Sequence, residues 1–271
     1  PLGEMGKGTE MSVGELEQQI DSIEDPYARS SAGRFLARHY VQEKDYARAI
    51  AYYEEALGTA GLSDVANREM LRELAQVYLL EKNYKSAAQV LQRALEIDLV
   101  PDARDFLLLA QTHYRMGDYV AVVASLDGIG AQELKLELGQ MRQALALYYR
   151  AGAYEQCEDI LEQLLKIEPG KPEHWHQLAS VYLQQNKRQQ ALDQLLLARQ
   201  KKIAFTNAEL TLLVDLQAIS GNPYGAAVTL EEAIARNELP GDAANQRKLF
   251  ELWLQARERD RARAALERAA K

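Results

Sequence analysis

The chain has 271 residues, of which 27% are charged and 47% apolar, and a net charge of −8. That apolar share supplies a packed core and excludes wholesale disorder, while the acidic balance excludes a generic nucleic-acid-binding surface, which needs a basic excess. The single cysteine, Cys157, excludes an internal disulfide, and no apolar run approaches the roughly 20 residues that a membrane-spanning helix needs.

Leu, Ala, Glu, Gln and Arg dominate and β-branched residues are sparse, a composition that predicts an all-α chain. Residues 1–10 open on Pro1-Leu2-Gly3 and read as a tag remnant or flexible lead. Within them, Gly6-Lys7-Gly8-Thr9 lacks both the spacing of a phosphate loop and the strand that precedes one. Residues 11–25 read as a leading helix, because Val13, Leu16, Ile20 and Ile23 form one apolar stripe that ends before Pro26.

From Pro26 onward one pattern recurs. Leu36-Ala37-x-x-Tyr40, Tyr46, Ala49, Tyr53 and Ala56 return as Leu74-Ala75-x-x-Tyr78, Tyr84, Ala87, Leu91 and Ala94. They return again as Leu109-Ala110-x-x-His113 with Tyr119, Val122 and Leu126, and as Leu145, Tyr148, Tyr154, Cys157 and Leu161. A fifth copy carries Trp175, Leu178-Ala179-x-x-Tyr182, Ala191 and Leu195; a sixth, Leu213-Val214, Gln217, Ala226 and Leu230; the last, Leu249-Phe250, Trp253, Ala262 and Leu266. The second residue of each leading pair falls at 37, 75, 110, 145, 179, 214 and 250, so the spacings are 38, 35, 35, 34, 35 and 36. About seven copies are expected, over 30–63, 68–101, 103–136, 138–171, 172–205, 207–240 and 243–271.

Each copy reads as two short amphipathic helices joined by a polar turn such as Glu43-Lys44-Asp45 or Gly221-Asn222-Pro223. Small residues at the Ala37 and Ala49 offsets allow close helix approach, and an aromatic three residues past the first fills the remaining gap. One such pair cannot bury its own apolar face, so neighbours must stack.

These offsets and their spacing resemble the tetratricopeptide repeat, whose period is about 34 residues. The resemblance covers residues 26–271 and implies a right-handed α-solenoid of antiparallel helix pairs, whose first helices line an inner groove that binds proteins. The groove-facing offsets hold Arg34, Arg38 and Val41; Arg72, Gln76 and Leu79; Leu107, Gln111 and Tyr114; Arg142, Tyr149 and Arg150; His176, Ser180 and Leu183; and Thr211 and Asp215. Five arginines on an otherwise acidic chain suggest a peptide or protein partner of acidic character, since guanidinium forks match carboxylates. The alternative is that they pair with nearby carboxylates on the helix face. The clamp that other members use for a C-terminal carboxylate is absent, because Arg38, Gln76, Gln111, Ala146, Ser180 and Asp215 occupy the places of its asparagines.

No catalytic, cofactor or metal site is expected. His174 and His176, two residues apart on a helix, point to different faces and have no third ligand in a chelating pattern. Cys157 takes the place of a small core residue and has no histidine placed beside it as a base. Glu54-Glu55, Glu158-Asp159 and Glu231-Glu232 fall on second helices, where solvated faces account for them.

A narrower resemblance lies in the last three copies. His174-Trp175-x-x-Leu178-Ala179-x-x-Tyr182, Gly221-Asn222-Pro223-Tyr224-x-Ala226-Ala227 and Trp253-Leu254-Gln255-Ala256 are similar to repeat proteins encoded beside TonB, ExbB and ExbD in proteobacteria. That would imply a scaffold in the periplasm or cell envelope, with a cytoplasmic location also compatible, serving energised uptake. Other readings are a periplasmic adaptor for a protease or cell-wall enzyme, and a structural module that forms a homo-oligomer through an exposed end helix around Leu266.

Overall fold

The computed structural model describes residues 12–270, so the lead at 1–10 and its Gly6–Thr9 segment lie outside the described residues. Among the described residues every regular element is helical, and no helix is long and apolar enough to cross a membrane. The chain divides into two compact units, residues 1–151 and 152–271. The two helices of the fourth copy fall on opposite sides of that division.

The first unit begins with α1 (Val13–Gln19). Its capping box is complete: the Ser12 hydroxyl accepts from the Glu15 N–H, and the Glu15 carboxylate accepts from the Ser12 N–H at 2.8 Å. A 3-10 turn, Ile20–Ser22, buries Ile20. Helices α2 (Pro26–Gln42) and α3 (Tyr46–Thr59), α4 (Asp64–Leu80) and α5 (Tyr84–Glu96), and α6 (Ala103–Met116) and α7 (Tyr119–Ala131) then pack as successive pairs, and α8 (Leu138–Ala151) follows. Pro26 opens α2 at a position where its missing N–H costs nothing. Helix α1 is tied down by Glu17, whose carboxylate accepts from the hydroxyls of Tyr40 on α2 and Tyr52 on α3.

The second unit contains α9 (Tyr154–Ile167) packed on α10 (Pro172–Gln184), then α11 (Arg188–Gln200), α12 (Asn207–Ile219), α13 (Pro223–Ala235), α14 (Ala243–Gln255) and α15 (Arg259–Ala269). Here α10 and α11, α12 and α13, and α14 and α15 are the pairs.

A left-handed residue turns the chain between the two helices of each copy: Lys44, Lys82, Gly117, Gly152, Asn186, Gly221 and Arg257. Each stands seven residues past the repeat position at 37, 75, 110, 145, 179, 214 or 250. The next residue is the N-cap of the second helix, and where it is Asp45, Asn83, Asp118 or Asn222 its side chain accepts from a backbone N–H of the first turn.

The small residues sit where helices touch. Ala37, Ala75, Ala110 and Ala179 are buried, as are Ala49, Ala87, Ala191 and Ala226 on the second helices. Gly33 approaches so closely that a β-carbon there would stand 3.0 Å from that of Ala56. One core in the first unit joins Tyr53, Met70, Leu74 and Leu91, and one in the second joins Leu210, Val214, Leu230 and Trp253. Each such large side chain contributes about 1.5–3 kcal/mol by leaving water.

Candidate protein-binding face

Repeat offsets place a residue on a helix face; burial and partners decide what that face offers. In the first unit the arginines closest to the N-terminus are engaged. The Glu73 carboxylate on α4 accepts from Arg34 at 2.6 Å and from the Arg38 Nε at 3.0 Å, both on α2, and from the Tyr53 hydroxyl at 3.1 Å. Burial pushes the Glu73 carboxyl up, but the hydrogen bonds from Arg38 and Arg34 outweigh it and hold the group below its ordinary range.

Arg72 is engaged still more completely. Its guanidinium lies buried among Asp105, Asp102 and Glu69, with 2.8 Å to Asp105 Oδ2 and 3.0 Å to Asp102 Oδ2, and Asp105 is itself buried. The bond to Asp105 is the main reason the Arg72 pKa is raised, against the opposing pull of burial. Burial also raises Asp102, but Arg104 and Arg72 overcome it and hold that carboxyl at about 2. Arg72 is therefore a strut between α4 and α6 and does not line an open surface. Leu107 is corrected as well: it is buried in the core, because its apolar side chain turns inward at an offset where other copies carry polar groups.

The remaining expected positions of this unit stay accessible. Gln76 and Gln111 are exposed, with Val41, Leu79 and Tyr114 half-buried. On α8, Arg142, Tyr149 and Arg150 are exposed. The Arg150 guanidinium lies 5.3 Å from the centre of the Tyr114 ring, which in turn stands 6.0 Å from the ring of Tyr119. Tyr119 belongs to this cluster although the groove offsets did not select it, and Arg115 follows Tyr114 in the chain at an exposed position. The clue available in the sequence is their place beside Tyr114, at the end of one helix and the start of the next.

In the second unit, His176 is largely buried; its Nδ1 lies 2.7 Å from Glu209 Oε1 and its ring stands edge-on to Phe205. Burial lowers the His176 pKa, with Glu209 acting weakly the other way. Glu209 also accepts from the Thr206 N–H at 2.6 Å as part of a capping box, so its position is fixed. His176 thus joins α10 to α12. Ser180 and Leu183 are half-buried, the Thr211 hydroxyl donates to the Asn207 carbonyl, and Asp215 pairs with Lys248 at 2.6 Å.

The side chains weighed for chemistry have structural settings among the described residues. His174 is buried and bonded to Glu168 at 3.0 Å. Burial drives the Cys157 thiol up to about 12, far from a nucleophilic thiolate. The second-helix carboxylates prove to be partly tied: Glu55 to Arg29, Glu54 to Arg93, Glu158 to Lys187 and Glu231 to Arg268. Among the described residues no three His, Cys, Asp or Glu side chains converge to hold a metal ion.

Comparison with known proteins shows a likeness in fold and in one stretch of the sequence. No curated protein matches the sequence. Among solved structures, a chain of the Naa15/Naa10 complex bound to HypK-THB is 15% identical, with a TM-score of 0.64 over 88% of this chain and 36% of that one. This chain therefore spans about a third of that protein's length. YrrB, described as a TPR protein with an unusual peptide-binding site, is 17% identical at a TM-score of 0.49, over 68% of this chain and 90% of its own. A tetratricopeptide repeat protein from Parabacteroides merdae is 12% identical at 0.45, over 96% and 91%. Residues 40–106 match the tetratricopeptide repeat family model, and the successive packed helix pairs have the architecture of a tetratricopeptide-repeat solenoid.

Proposed function

We propose that this chain is a non-enzymatic scaffold that binds a protein or peptide along the first-helix face of its repeats. The observation that carries the reading is a two-row surface in the first unit. Arg38, Gln76 and Gln111 form an exposed polar row, and Val41, Leu79 and Tyr114, three residues further along each helix, form a partly exposed apolar one. Side chains three apart share a helix face, so the rows lie side by side. Amide groups beside an apolar strip suit an extended segment, whose backbone needs hydrogen bonds and whose side chains need burial.

The envelope role implied by the likeness to TonB-associated repeat proteins is a narrower form of the same proposal. Its motif residues, including Trp175, Leu178, Ala179, Tyr182, Ala226, Ala227 and Trp253, are buried. They serve packing and carry no information about a partner.

A photo-crosslinking amino acid at Gln76 or Gln111, compared with one at exposed second-helix positions Gln92 or Asp193, tests the scaffold reading in the native host. Protein adducts are expected from the first pair of sites and not from the second. Adducts formed equally from both, or from neither, would refute it.

A further inference from the structure

The arginines on the first-helix face are not equivalent. Arg34, Arg38 and Arg72 are held by Glu73, Asp102, Asp105 and Glu69. Arg115 and Arg150 are exposed and make no ion pair among the described residues. Both stand five residues past the repeat position of their copy, at 110 and 145, so they occupy equivalent places on α6 and α8. They thus offer two unpaired guanidinium groups at matching places on the first helices of successive copies.

Their setting is aromatic. Arg150 lies over the Tyr114 ring, whose other neighbour is the ring of Tyr119, itself half-exposed at 49%. A guanidinium stacked on a ring keeps its N–H groups pointing outward in its own plane, where a carboxylate can meet them in bidentate fashion. The ring also restrains the long arginine side chain in advance, which lowers the entropy cost of capturing a ligand. Beside the tyrosines, Met116 and Val120 are exposed at 44% and 83%, leaving apolar surface at the joint of α6 and α7.

We infer that this end of the first unit is an anchoring subsite for an acidic peptide segment in which Asp or Glu stands next to an aromatic or large aliphatic residue. The carboxylate sits on Arg150 and Arg115, and the apolar neighbour covers Tyr119, Met116 and Val120. The assignment rests on the scaffold reading and specifies the chemistry of the partner at one end of that face.

An array of immobilised octapeptides, probed with the full chain, tests it. The array holds Asp/Glu–Phe, Asp/Glu–Tyr and Asp/Glu–Leu sequences, the same sequences with Asn/Gln for the acids, and the same with Lys. The chain is expected to be retained on the acidic–apolar peptides. Arg115→Glu/Arg150→Glu should lose about tenfold or more of that retention while taking up the Lys series instead, a swap that mere misfolding cannot produce. Tyr114→Phe should keep binding, since the ring and not the hydroxyl supports Arg150, whereas Tyr114→Ala should weaken it. Retention on peptides without acids, or retention indifferent to the double reversal, overturns the subsite while leaving a binding face in place. No retention on any peptide overturns the subsite alone, and crosslinking from Gln76 and Gln111 decides the binding face separately.

Discussion

The two units answer the same joint with different chemistry. Arg72 stands three residues before the repeat position at 75, and its partner Asp105 five before the next, at 110. In the second unit His176 stands three before 179, and its partner Glu209 five before 214. The joint has equivalent geometry in both: a basic side chain from one first helix reaches a carboxylate near the start of the next. The first unit fills it with a permanently charged guanidinium that also engages Asp102 and Glu69, and the second with an imidazole whose pKa burial lowers. The repeat therefore fixes where neighbours are tied, while residue choice decides whether the tie depends on pH.

Breaking the stronger tie should have the largest effect. Arg72→Glu sets a fourth carboxylate beside buried Asp105, half-buried Asp102 and Glu69, and removing one partner of a buried pair costs about 3–5 kcal/mol. The midpoint of urea unfolding followed by far-UV circular dichroism should fall accordingly. A loss below about 1 kcal/mol would show that the buried network is dispensable. Any partner binding lost in this variant reflects lost structure, so Arg72 is the wrong position at which to test the groove.

Glu73→Gln acts on the neighbouring tie and should be milder. It weakens charge-assisted bonds from Arg34 and Arg38 and the bond from Tyr53, but leaves an acceptor in place, for a cost of about 1.5–3 kcal/mol. It also releases Arg38, which is already 55% exposed. If acidic peptides prefer unpaired arginines, Glu73→Gln should extend their binding towards α2, and unchanged binding would separate charge from position.

The second unit offers a cleaner test of the comparison. Burial depresses the His176 pKa below its ordinary 6.5, against Glu209 and Glu173, so the unfolded chain binds the proton more readily than the folded one. The His176 contribution to stability is therefore complete above pH 6.5 and is lost as pH falls through the folded-state pKa. Both tryptophans, Trp175 and Trp253, belong to this unit, so fluorescence-detected unfolding reports on it alone. Between pH 7.5 and 5 the wild type should lose more stability than His176→Gln, and His176→Arg should flatten the dependence as a guanidinium does at Arg72. Far-UV circular dichroism mixes in His113 of the first unit, whose pKa burial also lowers while Asp118 opposes, and should retain acid sensitivity in every variant. Identical fluorescence profiles for wild type and His176→Gln would refute the assignment.

How much of this was legible in the sequence follows from the range of each interaction. The repeat offsets read from residues 37 to 250 reappear as left-handed turns seven residues on, because helix length, turn and small-residue contact are all local to one copy. The site was less legible because its decisive partners lie a full repeat away: Glu73 is 39 residues past Arg34, and Asp105 is 33 past Arg72. Offset reasoning within a single copy placed Arg34, Arg38 and Arg72 on the right helices but could not see them neutralised. The 33-residue interval, shared by Arg72–Asp105 and His176–Glu209, is a signal that a search between copies would have found. Leu107 failed for a plainer reason, since its offset, three before the repeat position, is a covered one that buried Arg72 and largely buried His176 hold in other copies.

The smallest expected effect concerns the turn within each pair. Lys82 of the first unit and Gly221 of the second hold the same turn position, at φ 58° and 81°. A left-handed conformation costs a residue with a β-carbon roughly 1–2 kcal/mol, whereas glycine adopts it freely but loses more freedom on folding. Lys82→Gly should therefore stabilise the first unit by a net amount of about 0.5–1 kcal/mol. Nothing stands within 4 Å of a β-carbon built at Gly221, so Gly221→Lys meets no steric obstacle and should lose a comparable amount through the backbone alone. The first change is read by circular dichroism and the second by tryptophan fluorescence. Opposite signs would show that the turns of the two units are interchangeable even though the ties between their helix pairs are not. Equal signs would mean that Lys82 makes a compensating interaction of its own.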